Sequence, residues 1–279
     1  VKSASDIKKN GMSHLTFTMF GNRSVKNIFC VLSAPWCLSR TRILKIKKDE
    51  PLVITPNLLE RIAENEEVEL NKDAPTIGDG LYEGKAKLCA VEKKLIKVRL
   101  NGYESRLPIY KKVSNLELSL FLSVTTEGIK NAIESTIAKI FGYHRRIEFN
   151  SFALTSFVVL RDSFPNKQDF IFMDISGEAT ELTFVRHQVI LEMASFPFGR
   201  NTLIRRLAQI LKIEPVLAES SLALRFDGKT EEALKIAGGE WLKFLDTAIT
   251  DFAKDDFVPT KVFLTADQDV QKYFEGLIG

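Results

Sequence analysis

A chain of 279 residues with 45% hydrophobic and 27% charged content is long enough to bury a full core without disulfides or metals, and its length suits one or two domains. Its 39 basic and 36 acidic residues leave a formal charge of only +3, which gives no bulk electrostatic case for a nucleic-acid partner. Cys30, Cys37 and Cys89 are odd in number and lack CxxC spacing, so neither a disulfide framework nor a zinc site is expected, and a reducing cytoplasm is the expected compartment. No apolar run approaches the roughly 20 residues that span a bilayer, and no signal peptide is visible.

Residues 1 to 25 are polar, without a clear period, and read as loosely ordered. Asn27 to Ser33 is a short apolar run before Ala34-Pro35 and predicts a buried strand. Ser39 to Lys47 alternates and predicts a half-buried strand. Thr55-Pro56 opens a short helix with Leu58, Leu59 and Ile62 on one face. Glu67 to Gly84, with its Asn, Asp, Pro and Gly residues, reads as a loop. Leu95 to Leu100 predicts a strand closed by an Asn101-Gly102 turn.

Leu116 to Val124 alternates strongly and predicts another strand, after which Thr125 and Thr126 can cap a helix carrying Ile129, Ile133, Ile137 and Ile140. A strand over Ile147 to Phe152 and a helix over Ala153 to Arg161 follow. A three-stranded meander is expected over about Asp169 to Ile175, Glu181 to Arg186 and Gln188 to Phe196. Helices are predicted at about Asn201 to Lys212, Pro215 to Leu224 and Lys229 to Phe252, the last with Trp241, Leu245, Ile249 and Phe252 on a shared face. Lys261 to Thr265 predicts a buried strand and Asp269 to Leu277 a final helix. The alternation of strands and helices makes the class α/β with an inserted α+β subdomain.

The segment from Phe170 to Val185 bears the most chemistry. A buried strand delivers Asp174 to its end, a turn through Ser176 and Gly177 follows, and an alternating strand returns past Thr180. Such a turn can aim backbone N–H groups at an anion. A carboxylate at the strand end can hold a metal-bound water, and a nearby hydroxyl can bond a phosphate oxygen. The same Asp-x-Ser-Gly pattern also occurs in ordinary hairpins.

The run from Asn150 to Leu211 resembles the second phosphate region and connecting segment of actin-like ATPases, most closely the bacterial division protein family FtsA and its relative PilM of type IV pilus assembly. The family writes the hairpin Asp-Ile-Gly-Gly-Gly-Thr-Thr-Asp. Asp174, Ile175, Gly177 and Thr180 match it, whereas Ser176, Glu178, Ala179 and Glu181 depart. Ser195 to Asn201, through Pro197 and Gly199, is similar to a family stretch leading into a helix, and Ala218-Glu219 is similar to a pair preceding a nucleotide-contacting lysine, whose place Leu222 takes. The order of elements from Ile28 to Gly142 is similar to that of the small subdomain FtsA carries.

The resemblance, over residues 27 to 279, implies an actin-like (ribonuclease H-like) two-lobed fold with a small inserted SHS2-like subdomain. Residues 1–43 and 144–168 would form an incomplete first lobe, 44–143 the insertion, and 169–279 the second lobe. It implies Asp174, Ser176, Gly177, Thr180, Gly199, Glu219 and Thr265 as nucleotide-binding residues, Asp174 as the magnesium ligand, and ATP and Mg as the cofactors. Three departures argue against efficient hydrolysis. The family's Asp-x-Gly hairpin has no counterpart in the sequence, Glu178 would repel phosphate oxygens, and Thr265-Ala266-Asp267 replaces a bare Gly-Gly turn.

The implied function is an FtsA-like scaffold that links a division polymer and partner proteins to the membrane. The alternatives are a PilM-like pilus assembly platform and an active actin-like ATPase. Its partners would be proteins, with self-association and peripheral membrane contact at the inner face of the cell membrane implied as well. Arg200, Arg205, Arg206 and Lys212 form a basic side to one helix, read as a solvated face in preference to a phosphate or partner contact.

Overall fold

The computed structural model describes residues 27–77, 87–141, 146–224, 228–254 and 257–279. The predicted reading of residues 1 to 25, and the loop reading over 78 to 84, lie outside them. The described elements are β1 (Asn27–Leu32), β2 (Leu38–Val53), α1 (Pro56–Ile77), β3 (Leu88–Leu100), β4 (Tyr103–Glu104), β5 (Lys112–Thr126), α2 (Glu127–Phe141), β6 (Arg146–Ser151) and α3 (Phe152–Ser163). They continue as β7 (Phe170–Ile175), β8 (Thr180–Arg186), β9 (Val189–Phe196), α4 (Arg200–Leu211), α5 (Pro215–Leu224), α6 (Gly228–Ala253), β10 (Val262–Ala266) and α7 (Gln268–Ile278).

Three sheets organise the chain. The second lobe is built on the order β10-β7-β8-β9, in which β7 to β9 form the expected antiparallel meander and β10 joins β7 in parallel. The meander's last turn is made by His187 and Gln188, both at positive φ (49° and 59°). Two such residues give the turn whose twist suits a tight hairpin, without the usual Asn-Gly pair. One face of this sheet, including Met173, Ile175, Leu182 and Phe184, packs under α4, α6 and α7 around the fully buried Trp241. The other face presents Phe170, Phe172 and Val185 to Leu154 and Phe157 of α3 and to Phe121 of β5. The sheet is thus buried on both sides, which is why β7 reads as an unbroken apolar run.

The second sheet has the order β2-β5-β3-β4, all antiparallel. Its chain order is β2, α1, β3, the two-residue β4 and β5, followed by α2. Leu120, Leu122 and Val124 pack with Leu38 and Leu70, while Ile54, Val98, Leu100, Val113, Leu116 and Leu118 form a second cluster backed by Leu59 and Ile62. The helix after Pro56 is therefore longer than predicted. It continues through Glu67 to Ile77, because the apolar positions Ile62, Ala63 and Leu70 keep a helical stripe against the sheet. β2 begins at Leu38, so this sheet takes in residues on both sides of the 43/44 boundary.

The third sheet is the parallel pair β1-β6. The expectation of a buried strand at Asn27 to Ser33 fails on one side. Residues along β1 alternate between exposed and half-buried, with Phe29 and Val31 on the exposed face, and among the described residues only β6 pairs with β1. β6 leads into α3 through Ser151, whose Oγ accepts the Leu154 N–H as the helix cap.

Candidate functional site

The β7–β8 hairpin sits where the lobes meet. In an antiparallel pair, residues directly opposite share a face. Asp174 lies opposite Glu181, and on its other side Asp174 is paired in register with Thr265 of β10. The Thr265 hydroxyl donates to Asp174 Oδ1 at 2.7 Å. Both carboxyls are buried. Burial pushes the Asp174 carboxyl above its ordinary range, partly offset by the Thr265 bond, and Asp267 adds to the rise. Glu181 is pushed up to about 8, by burial first and by Asp174 second, while the Ala34 backbone N–H partly counters this. Two carboxyls so placed cannot both ionise cheaply, so Glu181 holds its proton at neutral pH. The nearby Cys37 thiol is also pushed up to about 12, by burial and then by Glu181.

The turn closing the hairpin is fastened from two directions. Ser176 Oγ lies 3.0 Å from the Ala34 carbonyl and 2.8 Å from that of Ala179, and it accepts the Ala179 N–H at 3.2 Å. One residue between β1 and β2, Ala34, is thus held by Glu181 at its N–H and by Ser176 at its carbonyl. From the other side, the first turn of α4 docks on the hairpin. The Arg200 N–H donates to the Ser176 carbonyl at 2.9 Å and the Asn201 N–H to the Gly177 carbonyl at 2.7 Å. Gly199 makes this approach feasible. A Cβ there would stand 2.3 Å from the Ser176 carbonyl oxygen and 2.7 Å from the Ala179 nitrogen, contacts no side chain can make.

Thr180 departs from its expected role. It is fully buried, its hydroxyl donates to the Phe198 carbonyl at 2.6 Å and it accepts the Trp241 indole N–H at 3.0 Å. The side chain points into the helix-packed core because it alternates with Glu181, which faces the first lobe. Its hydroxyl is satisfied by protein atoms.

Glu178 also differs from expectation. Asn201 Nδ2 donates to Oε1 at 2.9 Å and Arg205 Nη2 to Oε2 at 2.7 Å. Those Arg205 bonds, chiefly, hold the carboxyl below its usual range. Its charge is neutralised locally, so repulsion of phosphate is weaker than the sequence suggests. What opposes an anion is that amides of the turn and of the α4 N-terminus already bond protein oxygens.

Glu219 joins a second ion-pair group. Arg200, the first residue of α4, donates from Nη2 to Asp269 Oδ2 at 2.5 Å and to Glu219 Oε1 at 2.6 Å, and its Nε lies 3.6 Å from Asp267. One guanidinium thus ties α4 to α5 and to the start of α7. Arg206 pairs with Glu240 at 2.8 Å. The basic side of α4, expected to be a solvated face, is in large part spent on internal pairs at Arg200, Arg205 and Arg206. Leu222, in the place of the lysine, is fully buried in the core.

Asp174 and Thr265 therefore come together, as do Ser176, Gly177 and Gly199. Glu219 reaches the group through Arg200, and Thr180 stands apart in the core. Sequence reading missed the Arg200–Asp269 pair and the opposition of Asp174 to Glu181. The second had a signal, since a tight turn between the strands fixes that register. Among the described residues no group of three or more His, Cys, Asp or Glu side chains could hold a metal ion. Magnesium prefers ionised carboxylates together with waters and phosphates. A proton-retaining carboxyl pair and a turn whose Ser176 and Ala179 amides bond within the protein do not fit a Mg-ATP centre.

The four-stranded second-lobe sheet with its meander and parallel strand, the parallel pair of the first lobe and the strand-helix insertion between β1 and β6 define a two-lobed protein of the actin-like fold. The chain is similar in structure to a "PilM-PilN type IV pilus biogenesis complex" at 12% identity, with a TM-score of 0.64, over 100% of this chain and 74% of that one. Two further solved structures align over about half of the chain. The ethanolamine utilization protein EutJ from Carboxydothermus hydrogenoformans has 16% identity and a TM-score of 0.37, covering 52% of this chain and 50% of that one. MreB 5 of Spiroplasma citri bound to AMPPNP has 14% identity and a TM-score of 0.40, covering 55% and 58%. No protein-family model matches the chain, and no curated protein matches it.

Proposed function

We propose that this chain is a protein-contact platform of the actin-like fold, working at the cytoplasmic face of a pilus assembly machine in the manner of PilM, and that it does not turn over ATP. The observation that carries the reading is the likeness of the whole chain to a PilM–PilN complex, joined to a hairpin whose polar groups are engaged within the protein. The partners are protein segments of the assembly, and the insertion of about residues 44 to 143 carries partner or self-association surfaces. Ser176 and Glu181 join the hairpin to Ala34 of the other lobe, while Asp174, Gly177, Gly199, Glu219 and Thr265 hold the hairpin and its neighbouring helices within their own lobe, with at most weak nucleotide contact.

A second reading, an FtsA-like adaptor that links a division polymer to the membrane, is favoured by one observation. The insertion carries a helix and three long strands in the order β2, α1, β3, β5, with the two-residue β4 between the last two, which supports an SHS2-like subdomain.

Calorimetric titration with Mg-ATP tests the first part, with no micromolar binding expected. Micromolar binding that is lost in Asp174→Ala overturns it. Coexpression with a PilN-type protein or with a division polymer tests the second. A stable complex with the former alone is expected, and a complex with the polymer alone favours the adaptor reading.

A further inference from the structure

The three most exposed large hydrophobic side chains among the described residues fall in one eight-residue stretch: Tyr103 at 81%, Leu107 at 79% and Tyr110 at 73%. Single exposed apolar residues are ordinary, but a cluster signals a surface that is covered in use. The stretch lies at the far end of the insertion. β5 runs from Lys112 at this end to Phe121, which packs against the second lobe. At about 3.3 Å per residue the tip therefore stands on the order of 30 Å out from that contact.

This end is built rather than loose. Asn101 and Gly102 adopt the positive φ values (50° and 89°) of a tight hairpin turn. Asn101 Oδ1 accepts the N–H groups of Ser114 and Asn115 at 3.2 and 2.9 Å. The Tyr110 N–H donates to the Ile54 carbonyl at 2.7 Å, and Lys111 Nζ donates to Ser105 Oγ at 3.0 Å. Ile109 packs inward beside Ile54 and Val113, so the chain has apolar residues for its own core here and still turns Leu107 outward.

The charge around these side chains has one sign in excess. Arg106, Lys111 and Lys112 are exposed in the same stretch. β2 brings Lys47 opposite Asn115 and carries Lys48, Asp49, Glu50 and Pro51 as extra residues before Leu52 pairs with Val113. The acids of the same region are Asp49, Glu50 and Glu104, and Glu104 is engaged by Lys97 at 3.1 Å.

From this placement we propose that the tip of the insertion binds an anionic lipid surface. Tyr103, Leu107 and Tyr110 enter the interfacial layer, and Lys47, Lys48, Arg106, Lys111 and Lys112 meet the headgroups. Tyrosine suits such a boundary because its ring is apolar and its hydroxyl is polar. A projecting apolar tip fits a deformable flat surface, whereas an acidic peptide would need a groove to lie in. The combination of an apolar anchor and a basic cluster is the one that gives stable but reversible attachment. The inference does not rest on the pilus reading, and its failure leaves that reading untouched.

Flotation of the full chain with vesicles of phosphatidylcholine alone, or enriched in phosphatidylglycerol, tests it. Binding to the anionic vesicles at low salt is expected, at least about tenfold above the neutral ones, and falling as salt rises. The combined variant Tyr103→Ser, Leu107→Ser, Tyr110→Ser is expected to lose binding. Lys111→Glu with Lys112→Glu is expected to weaken it about tenfold or more, with the circular dichroism spectrum and melting temperature of both variants unchanged. Absence of binding to anionic vesicles by the folded wild type, retention of binding by the triple variant, or capture of oligoglutamate in place of vesicles overturns the proposal.

Discussion

The helix α4 behind the hairpin and the tip of the insertion use arginine and lysine in opposite ways. On α4, Arg200, Arg205 and Arg206 all end on carboxylates of the same chain, and Arg200 alone reaches Glu219 and Asp269. At the tip Arg106, Lys111 and Lys112 stand exposed beside Tyr103, Leu107 and Tyr110. Charges satisfied internally fix the positions of helices and have little left to offer a ligand. Charges left on a projecting, apolar-studded end contribute little to folding and are available to a partner. The hairpin that resembles a nucleotide site is thus chemically the more closed region, and the insertion, which bears no motif, is the more open one.

This contrast can be broken most severely at the core behind the hairpin. Trp241→Ala removes the largest fully buried side chain and leaves the Thr180 hydroxyl without its donor. A loss of about 3–5 kcal/mol is expected in urea denaturation. A loss below about 1 kcal/mol would show that the core closes without it.

A second effect concerns pH. Glu181 has a folded pKa of about 8 against an ordinary 4.5, so the folded state binds the proton more tightly than the unfolded chain. The sign follows. This contribution is fully present below about pH 4.5 and is lost as pH rises through about 8. Stability is therefore expected to fall with rising pH across that window, by up to about 1.4 kcal/mol per unit. Glu181→Gln should flatten the profile there. Glu178 and Asp269, both held low by arginine, act in the opposite sense and at more acid pH, where losing their charge weakens the α4 contacts. An unchanged slope in the glutamine variant would remove Glu181 from the account.

Arg200→Ala sharpens the comparison from the other end. It leaves Glu219, Asp267 and Asp269 near one another without a counter-charge. Because the arginine side chain is 18% exposed, a loss of about 2 kcal/mol is expected, short of the full cost of a buried broken pair. The loss should shrink in high salt, where repulsion among the acids is screened. The tip variants should have the smallest effect on stability, within about 0.5 kcal/mol of wild type, while having the largest effect on vesicle binding. A destabilised tip variant would mean that the exposed side chains pack after all.

Much of the fold was legible in the sequence where one period held over a long run. Leu116 to Val124, the meander from Phe170 to Phe196 and the Trp241 face of α6 all lie where alternation or helical spacing puts them. The α1 helix was cut short because Asn71, Asp73 and Pro75 are turn-favouring residues by local propensity, whereas Ile62, Ala63 and Leu70 are held by a sheet distant in sequence. The apolar run of β1 does not tell whether both faces of the strand are covered, and the face of Phe29 and Val31 is exposed.

The candidate site divides along the same line. The sequence by itself determined the hairpin and its turn residues, since these depend on neighbours a few residues apart, whereas the need for Gly199 comes from the docking of α4 on Ser176 and Ala179. Only the tertiary structure decided what those residues face. It set Asp174 against Glu181 and Thr265, turned Thr180 into the core beneath Trp241, and brought Arg200 to Asp269 across 69 positions of sequence. Charge and proton affinity depend on burial and on partners remote in the chain, and no local pattern of residue types encodes them.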